Sequence, residues 1–233
     1  MSVSVVFSPP KKQFMSQSLY LSPEEARILG VLVEKAITMP DHYPLSAKAL
    51  LGGCNQKHAR NPVMDISEAQ LSDCLPTLIE LGLVELMPMD LRYRHRLDTA
   101  LDLNKAELCL LSLLLLRGSL SSNELFQRSE HLFTFSGVPH IEKTLNNMAG
   151  NAEFPSVLKV ENGIAEGESQ WMHTLSVVPG FPRMQMDLVD DLLGSAEESR
   201  TQRKVLELEK RVQELEDIIA LLSTDPGRNK DAS

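Results

Sequence analysis

Two short runs of cationic side chains are the residues in this sequence best placed to do chemistry with another molecule. The first is Lys57, His58 and Arg60, inside the polar stretch CNQKHARNPVMDI. The second is Arg92, Arg94 and Arg96, with Tyr93 and His95 between them. In a strand, Arg92, Arg94 and Arg96 project to one face and Tyr93, His95 and Leu97 to the other. A row of three guanidiniums suits phosphate or an acidic protein surface. The competing reading is a solvated strand edge whose positive charge deters edge-to-edge pairing. Lys57, His58, Arg60, Arg92, Tyr93, Arg94 and Arg96 are therefore the candidate contacts to nucleic acid or to a protein partner.

Patterns for catalysis are missing from the sequence. Gly52-Gly53 is not followed by the GK[ST] of a phosphate-cradling loop, and Gly163-Ile164-Ala165-Glu166-Gly167 has no strand-to-helix context. The six histidines form neither HExxH nor a CxxC/HxxxH set, so no metal is expected. No GxSxG and no local Cys/His signature occurs. Cys54, Cys74 and Cys109 form no CxxC pair and read as reduced thiols. Glu24-Glu25 sits at a helix start, where carboxylates favour the dipole. The expectation is a binding protein without enzymatic activity and without a cofactor.

Charge limits what it binds. Lys and Arg number 23 against 32 Asp and Glu, a formal net charge of −9, which opposes wholesale attraction to nucleic acid. The longest apolar run, Leu108 to Leu116 with Ser112 in it, is far short of the roughly 20 residues that span a membrane. The N-terminus lacks a charged region ahead of its short apolar stretch. These features predict a cytoplasmic protein.

The elements that would carry the cationic groups are legible from caps and periodicity. Ser22-Pro23-Glu24-Glu25 combines an N-cap Ser, a first-turn Pro and a capping-box Glu. Ile28, Leu29, Leu32, Val33 and Ala36 then share one helical face. A short helix follows over about 46–52, stopped by Gly52-Gly53. Ser67 and Gln70 box a third helix with Leu71, Leu75, Leu78 and Ile79 inward, closed by Gly82. Pro76 within it predicts a kink or a break. Two strands, LVELM and LRYRHRL, flank a turn at Pro88. Three helices and a hairpin are the winged-helix order, with helices two and three as a helix-turn-helix and the hairpin as the wing.

The pattern then repeats. Leu103-Asn104-Lys105-Ala106-Glu107 echoes Leu21–Glu25 at an offset of 82 residues, and Ile141, Leu145 and Met148 match Leu71, Leu75 and Leu78 at an offset of 70. Ser122 to His131 supplies the intervening helix, and VLKVENGIAEGESQWMHTLS a second hairpin. The expected fold is mainly α with small β-hairpins. It comprises a leader over 1–19, winged-helix domains over 20–100 and 101–178, and a linker over 179–196. A coiled coil over 197–223 and a tail over 224–233 complete it. In the coil, Val205, Val212 and Ile219 take heptad position a and Leu208, Leu215 and Leu222 position d, the choice that favours parallel dimers. Lys204 and Arg211 at g then face Glu209 and Glu216 at e of a partner helix. The alternative is that this helix packs on its own domains.

The third helix complicates the usual use of this fold. In a helix-turn-helix it enters the major groove, yet here it carries Glu68, Asp73 and Glu80 and no Lys or Arg. The preceding segment is also long, with 13 residues from Cys54 to Ile66 where a tight turn has three or four. Asn55, Gln56, Lys57, His58, Arg60 and Asn61 make it polar, while Pro62, Val63 and Met64 can anchor it. It reads either as a recognition surface or as an Ω-loop that satisfies its own backbone.

The strings E-K-x-x-T-x-P-D-x-Y-P-L-S, from Glu34 to Ser46, and C-N-Q-K-x-x-R-x-P-V-M, from Cys54 to Met64, resemble those of the bacterial YceH-like family, a domain of unknown function. The resemblance covers about residues 20–175. It implies tandem winged helices and marks Asn55, Gln56, Pro62, Val63 and Met64 as signature-loop residues, but it implies no activity. The leader and Pro76 depart from the family pattern. The function expected is a dimeric DNA-binding or transcription-related protein, or alternatively a protein-interaction scaffold.

Overall fold

A computed structural model describes residues 19–151, 154–160 and 169–176. The expected leader (to residue 18), linker, tail and coiled coil (Val205, Leu208, Val212, Leu215, Ile219 and Leu222), together with the 163–167 hairpin tip, lie outside these residues.

Helix α1 runs Pro23–Thr38 and starts where its cap dictates. The Ser22 hydroxyl accepts from the Glu25 amide at 3.1 Å, and the Glu25 carboxylate accepts from the Ser22 amide at 2.8 Å. After Pro40–His42, a single 3-10 turn, comes β1 (Leu45–Ser46), then α2 (Ala47–Cys54) and α3 (Glu68–Glu80). The hairpin β2 (Val84–Met87) and β3 (Arg92–His95) follows, then a short helix α4 (Leu97–Ala100). The second half repeats the order: α5 (Lys105–Arg117), β4 (Leu120–Ser121), α6 (Ser122–Ser129), α7 (Val138–Ala149), β5 (Val157–Val160) and β6 (Gln170–His173).

Each half closes on a three-stranded antiparallel sheet, in order β1-β3-β2 and β4-β6-β5. The registers correspond: Leu45 opposes Tyr93 as Leu120 opposes Trp171, and Val84 opposes His95 as Val157 opposes His173. The two-residue strands β1 and β4 are too short for alternation to be visible in sequence. The architecture is thus mixed α and β with two small antiparallel sheets.

Several local expectations change. Gly52-Gly53 does not stop α2, which continues through both to Cys54. The reason is packing: a Cβ on Gly53 would stand 2.6 Å from Val31 Cγ1, so glycine lets α2 approach α1 closely. Strand β3 ends at His95, and Leu97 turns inward as the buried first residue of α4. Pro76 does not break α3. It lies on the exposed side, as does Ser72, whose carbonyl has no amide donor at position 76. The end of α3 is as expected. Gly82 takes φ +67° and donates to the Ile79 carbonyl at 2.9 Å, while Leu83 donates to Leu78 at 3.0 Å, the two bonds of a Schellman motif.

The halves share their core. Residues 26–33 of α1 and 108–116 of α5 are buried on all sides, because each helix covers the other's outer face. At the crossing, a Cβ on Gly30 would lie 2.9 Å from Leu116 Cδ2. One hydrophobic cluster runs from Leu19 to Leu175 through both sheets, and the Leu21 amide donates to the Leu175 carbonyl at 2.8 Å. No helix among the described residues is long and apolar enough to cross a membrane.

Candidate binding surfaces

The signature loop is built on buried polar contacts. Asn55 caps the end of α2, and its side chain closes the loop by exchanging two 2.8 Å hydrogen bonds with the backbone of Ile66, which is buried. These bonds imitate a strand pair and fix the loop's two ends together. Between them the chain turns at Ala59, where φ is +60°.

Arg60 lies within the loop, with its side chain wholly buried. All five of its guanidinium donors are used. Nε donates to the Gly53 carbonyl (3.2 Å). One terminal nitrogen donates to Glu34 Oε1 (3.1 Å) and the Ala59 carbonyl (2.9 Å). The other donates to Glu34 Oε2 (2.6 Å) and Gln56 Oε1 (2.9 Å). Burial alone would raise the Glu34 carboxyl, but the hydrogen bonds and charge of Arg60 outweigh it and hold the group below its ordinary value. Arg60, expected as a surface contact, is therefore internal, because a charge removed from water requires this complete pairing.

A second arginine, which no sequence pattern singles out, lies behind it. Arg27 is 1% exposed on α1 and donates to the carbonyls of Cys54 (3.3 Å) and Pro62 (2.6 Å). Desolvation, and then the nearby Arg60 charge, lower its pKa. Pro62 and Met64 are half-buried, Met64 packing on the core, whereas Val63 is 57% exposed and anchors nothing. Of the predicted cationic contacts in the loop, Lys57 and His58 face solvent. The loop also reaches the second half: the Asn61 amide donates to Leu116 O (2.9 Å) and its side chain to Arg117 O (3.3 Å).

On the first hairpin, the three arginines do not stand as a free row. Glu85 opposes Arg94 across β2 and β3. Its Oε2 accepts from Arg94 Nε at 2.9 Å and from Arg96 at 2.7 Å. Burial raises the Glu85 carboxyl, but the hydrogen bonds from Arg96 and Arg94 overcome that and leave it lowered. Arg92 is exposed and donates to the Pro44 carbonyl at 2.9 Å. Tyr93 is half-buried, packs against the core and opposes Leu45. The hairpin tip is apolar: Met89 is 96% exposed and Leu91, at φ +50°, is 66% exposed. Neither the Glu85 pairing nor this tip was anticipated. The signal for Glu85 was available, since it is the one acidic residue in LVELM and the hairpin register sets it opposite the arginines.

The solvent side of α3 carries Glu68, Asp73 and Glu80 with no cation, beside the partly exposed Ile79. The corresponding side of α7 offers Glu142, Lys143, Asn146 and Asn147. The cysteines are free; burial pushes the thiols of Cys54 and Cys109 up to about 12 and that of Cys74 up to about 11, so all three are protonated at neutral pH. Among the described residues no group of three His, Cys, Asp or Glu side chains converges to hold a metal ion.

Residues 21–164 match the model of a family described as "Protein of unknown function, DUF480". The chain is 39% identical over 219 residues to a UPF0502 protein of Paraburkholderia phymatum, covering 91% of each chain. It is likewise 39% identical over 203 residues to a UPF0502 protein of Chromobacterium violaceum, covering 82% of this chain and 92% of that one. A UPF0502 protein of Burkholderia ambifaria is 41% identical over 160 residues, 66% of each.

Proposed function

We propose that this chain, which belongs to the family of proteins of unknown function DUF480, is a non-enzymatic protein-binding module made of two fused winged helices. The order helix, short strand, two helices and hairpin occurs in both halves with matching registers, which supports the winged-helix reading. The observation that carries the choice of partner is the surface made by α3 and the first wing. Its carboxylates, Glu68, Asp73 and Glu80, have no cation on the same helix. Its apolar tip, Met89 and Leu91, is largely in water. Acidic side chains repel phosphate, while an exposed apolar tip can anchor in a pocket of a protein partner. A photo-crosslinker at position 89, used in living cells, tests this. A discrete adduct lost on Leu91→Asp is the expected result, and a smear unchanged by Leu91→Asp would remove the tip from the binding surface.

A second reading is favoured by one feature, the three guanidiniums of residues 92–96 set against a single carboxylate. On that reading Arg92, Arg94 and Arg96, with Lys57 and His58, position the protein on DNA phosphates without reading bases. Mobility shift with duplex DNA in about 50 mM salt decides it, because phosphate contacts weaken steeply with salt.

The heptads from Val205 to Leu222 support a homodimer joined by a parallel coiled coil. Sedimentation of Leu208→Lys plus Leu215→Lys tests that part; an unchanged sedimentation coefficient would place any dimer contact elsewhere.

A further inference from the structure

The signature loop and α3 follow each other in the chain but carry opposite charge on their outer surfaces. On α3, Glu68, Ser72, Asp73, Pro76, Ile79 and Glu80 recur at helical spacing and are all exposed, so they form one outward face about 18 Å long. Its three carboxylates make no ion pair among the described residues. Ser72 and Pro76 are short, which leaves the middle of the face flat, and Ile79 stands 37% exposed near one end. Asp65, at the end of the loop, is exposed and extends the acidic side.

The loop presents the complement. Lys57 and His58 are exposed, and Val63 is 57% exposed. Val63 is held outward from both sides. Arg27 grips the Pro62 carbonyl at 2.6 Å and Met64 packs on the core, so Val63 turns inward only by breaking one of these contacts. Behind it, Arg60 is locked to Glu34, and Asn55 ties the two ends of the loop together at Ile66. A loop fixed in this way loses little conformational entropy on binding. Val63 and Ile79 are both β-branched and stiff at χ1, which lowers that cost further. Within one chain the opposite charges do not meet, because Lys57 forms no ion pair with any α3 carboxylate.

We propose that these surfaces join two copies of this chain, with the signature loop of each seated on the outward face of the other's α3. The loop cations lie against the α3 carboxylates, and Val63 lies against Ile79. Charge complementarity selects this occupant: an acidic face without a cation repels a second α3 and accepts a cationic loop. Each copy supplies one loop and one face, so the contact is reciprocal and closes as a pair. Exposed ion pairs contribute little each, so the contact is weak and sensitive to salt. The proposal rests on the reading of α3 as part of a protein-binding surface and names what α3 itself meets; the wing tip keeps its separate test.

A photo-crosslinker at position 72, beside Asp73, tests this in the purified full chain. Chains that carry it are co-refolded with isotope-labelled chains that do not, so mass tells an adduct between copies from one within a copy. The expected product joins position 72 of one copy to residues 55–66 of another. Its yield should fall about fivefold between roughly 50 and 500 mM salt. Lys57→Glu and Asp73→Lys should each suppress it, and Val63→Asp should lower it, all with unfolding midpoints near wild type because these side chains are exposed. Pairing the Lys57→Glu chain with the Asp73→Lys chain should restore the adduct, since the reversed loop then faces the reversed helix and the other contact is native. Adducts confined to one copy, an adduct indifferent to both reversals, or no restoration in the pair would each overturn the contact. Failure here with the position-89 adduct intact removes the second copy and leaves the protein-binding reading standing. Loss of the position-89 adduct alone removes the wing tip and leaves this contact standing.

Discussion

Arg60 and Glu34 meet in a two-pronged contact of 3.1 and 2.6 Å, across 26 residues of sequence, with the arginine side chain out of reach of water. This contact ties the signature loop to α1. Removing one partner leaves the other charged and buried, which costs about 3–5 kcal/mol. Arg60→Ala should therefore lower the unfolding midpoint strongly, and Glu34→Gln should do so somewhat less, because an amide still accepts one hydrogen bond. Chemical denaturation of both variants and of the double variant checks this. Coupling shows as a double variant far less destabilised than the sum of the singles.

Neighbouring glycines on α2 should respond with opposite signs. Gly52 is exposed, and a Cβ added there would meet nothing within 4 Å, so Gly52→Ala should gain about 0.5–1 kcal/mol of helix propensity. Gly53→Ala drives a methyl to 2.6 Å from Val31 Cγ1 and should lose about 1–3 kcal/mol. Urea midpoints for the two variants, one above and one below wild type, are the expected outcome.

His173 gives the molecule an acid-sensitive element. It is buried at the end of β6, and desolvation lowers its pKa to about 4 from the ordinary 6.5. Between those values the unfolded chain binds the proton that the folded chain refuses, so stability falls as pH drops from about 6.5 to 4. The integrated effect is about 3 kcal/mol. His95, its counterpart in the first half, is also lowered by burial and adds in the same direction. Denaturant titrations across this range should show the slope, and His173→Gln should flatten it whatever its effect on absolute stability.

Thiol labelling should separate the cysteines. At pH 8, Cys54 and Cys109, both fully buried, should react with an aromatic disulfide reagent only as fast as the protein opens. Cys74 is partly exposed on α3, so at most one thiol should react in the native state, slowly, because its pKa is pushed up to about 11. Two or three rapid equivalents would contradict the burial described above.

Glu85→Gln distinguishes the two readings of the first wing. The change releases Arg94 and Arg96 from their shared carboxylate. If the wing lies on phosphates, DNA affinity should rise severalfold and its dependence on salt should steepen. If the wing tip enters a protein pocket, DNA retention should remain negligible while the adduct from position 89 persists.

The sequence alone determined the features that depend on a few adjacent residues. Ser22 with Glu25, Ser67 with Gln70 and Asn104 with Glu107 set three helix starts, and Gly82 set a helix end, because each cap is completed within one turn of chain. The same locality made the repeat visible, since both halves solve one packing problem with similar side chains. Family membership also followed from the signature strings. What only the tertiary structure decided is which polar groups remain available. Arg60 looked like a surface cation until α1 brought Glu34 to it, and the arginine row looked free until β2 set Glu85 opposite. Gly52-Gly53 looked like a helix stop until α1 packed within reach of Gly53. Arg27 and Arg117 drew no notice because their settings are assembled from segments far apart in sequence. Burial and ion pairing are set by long-range contacts, so a charge's type is written in the chain, but its partner is chosen by the fold.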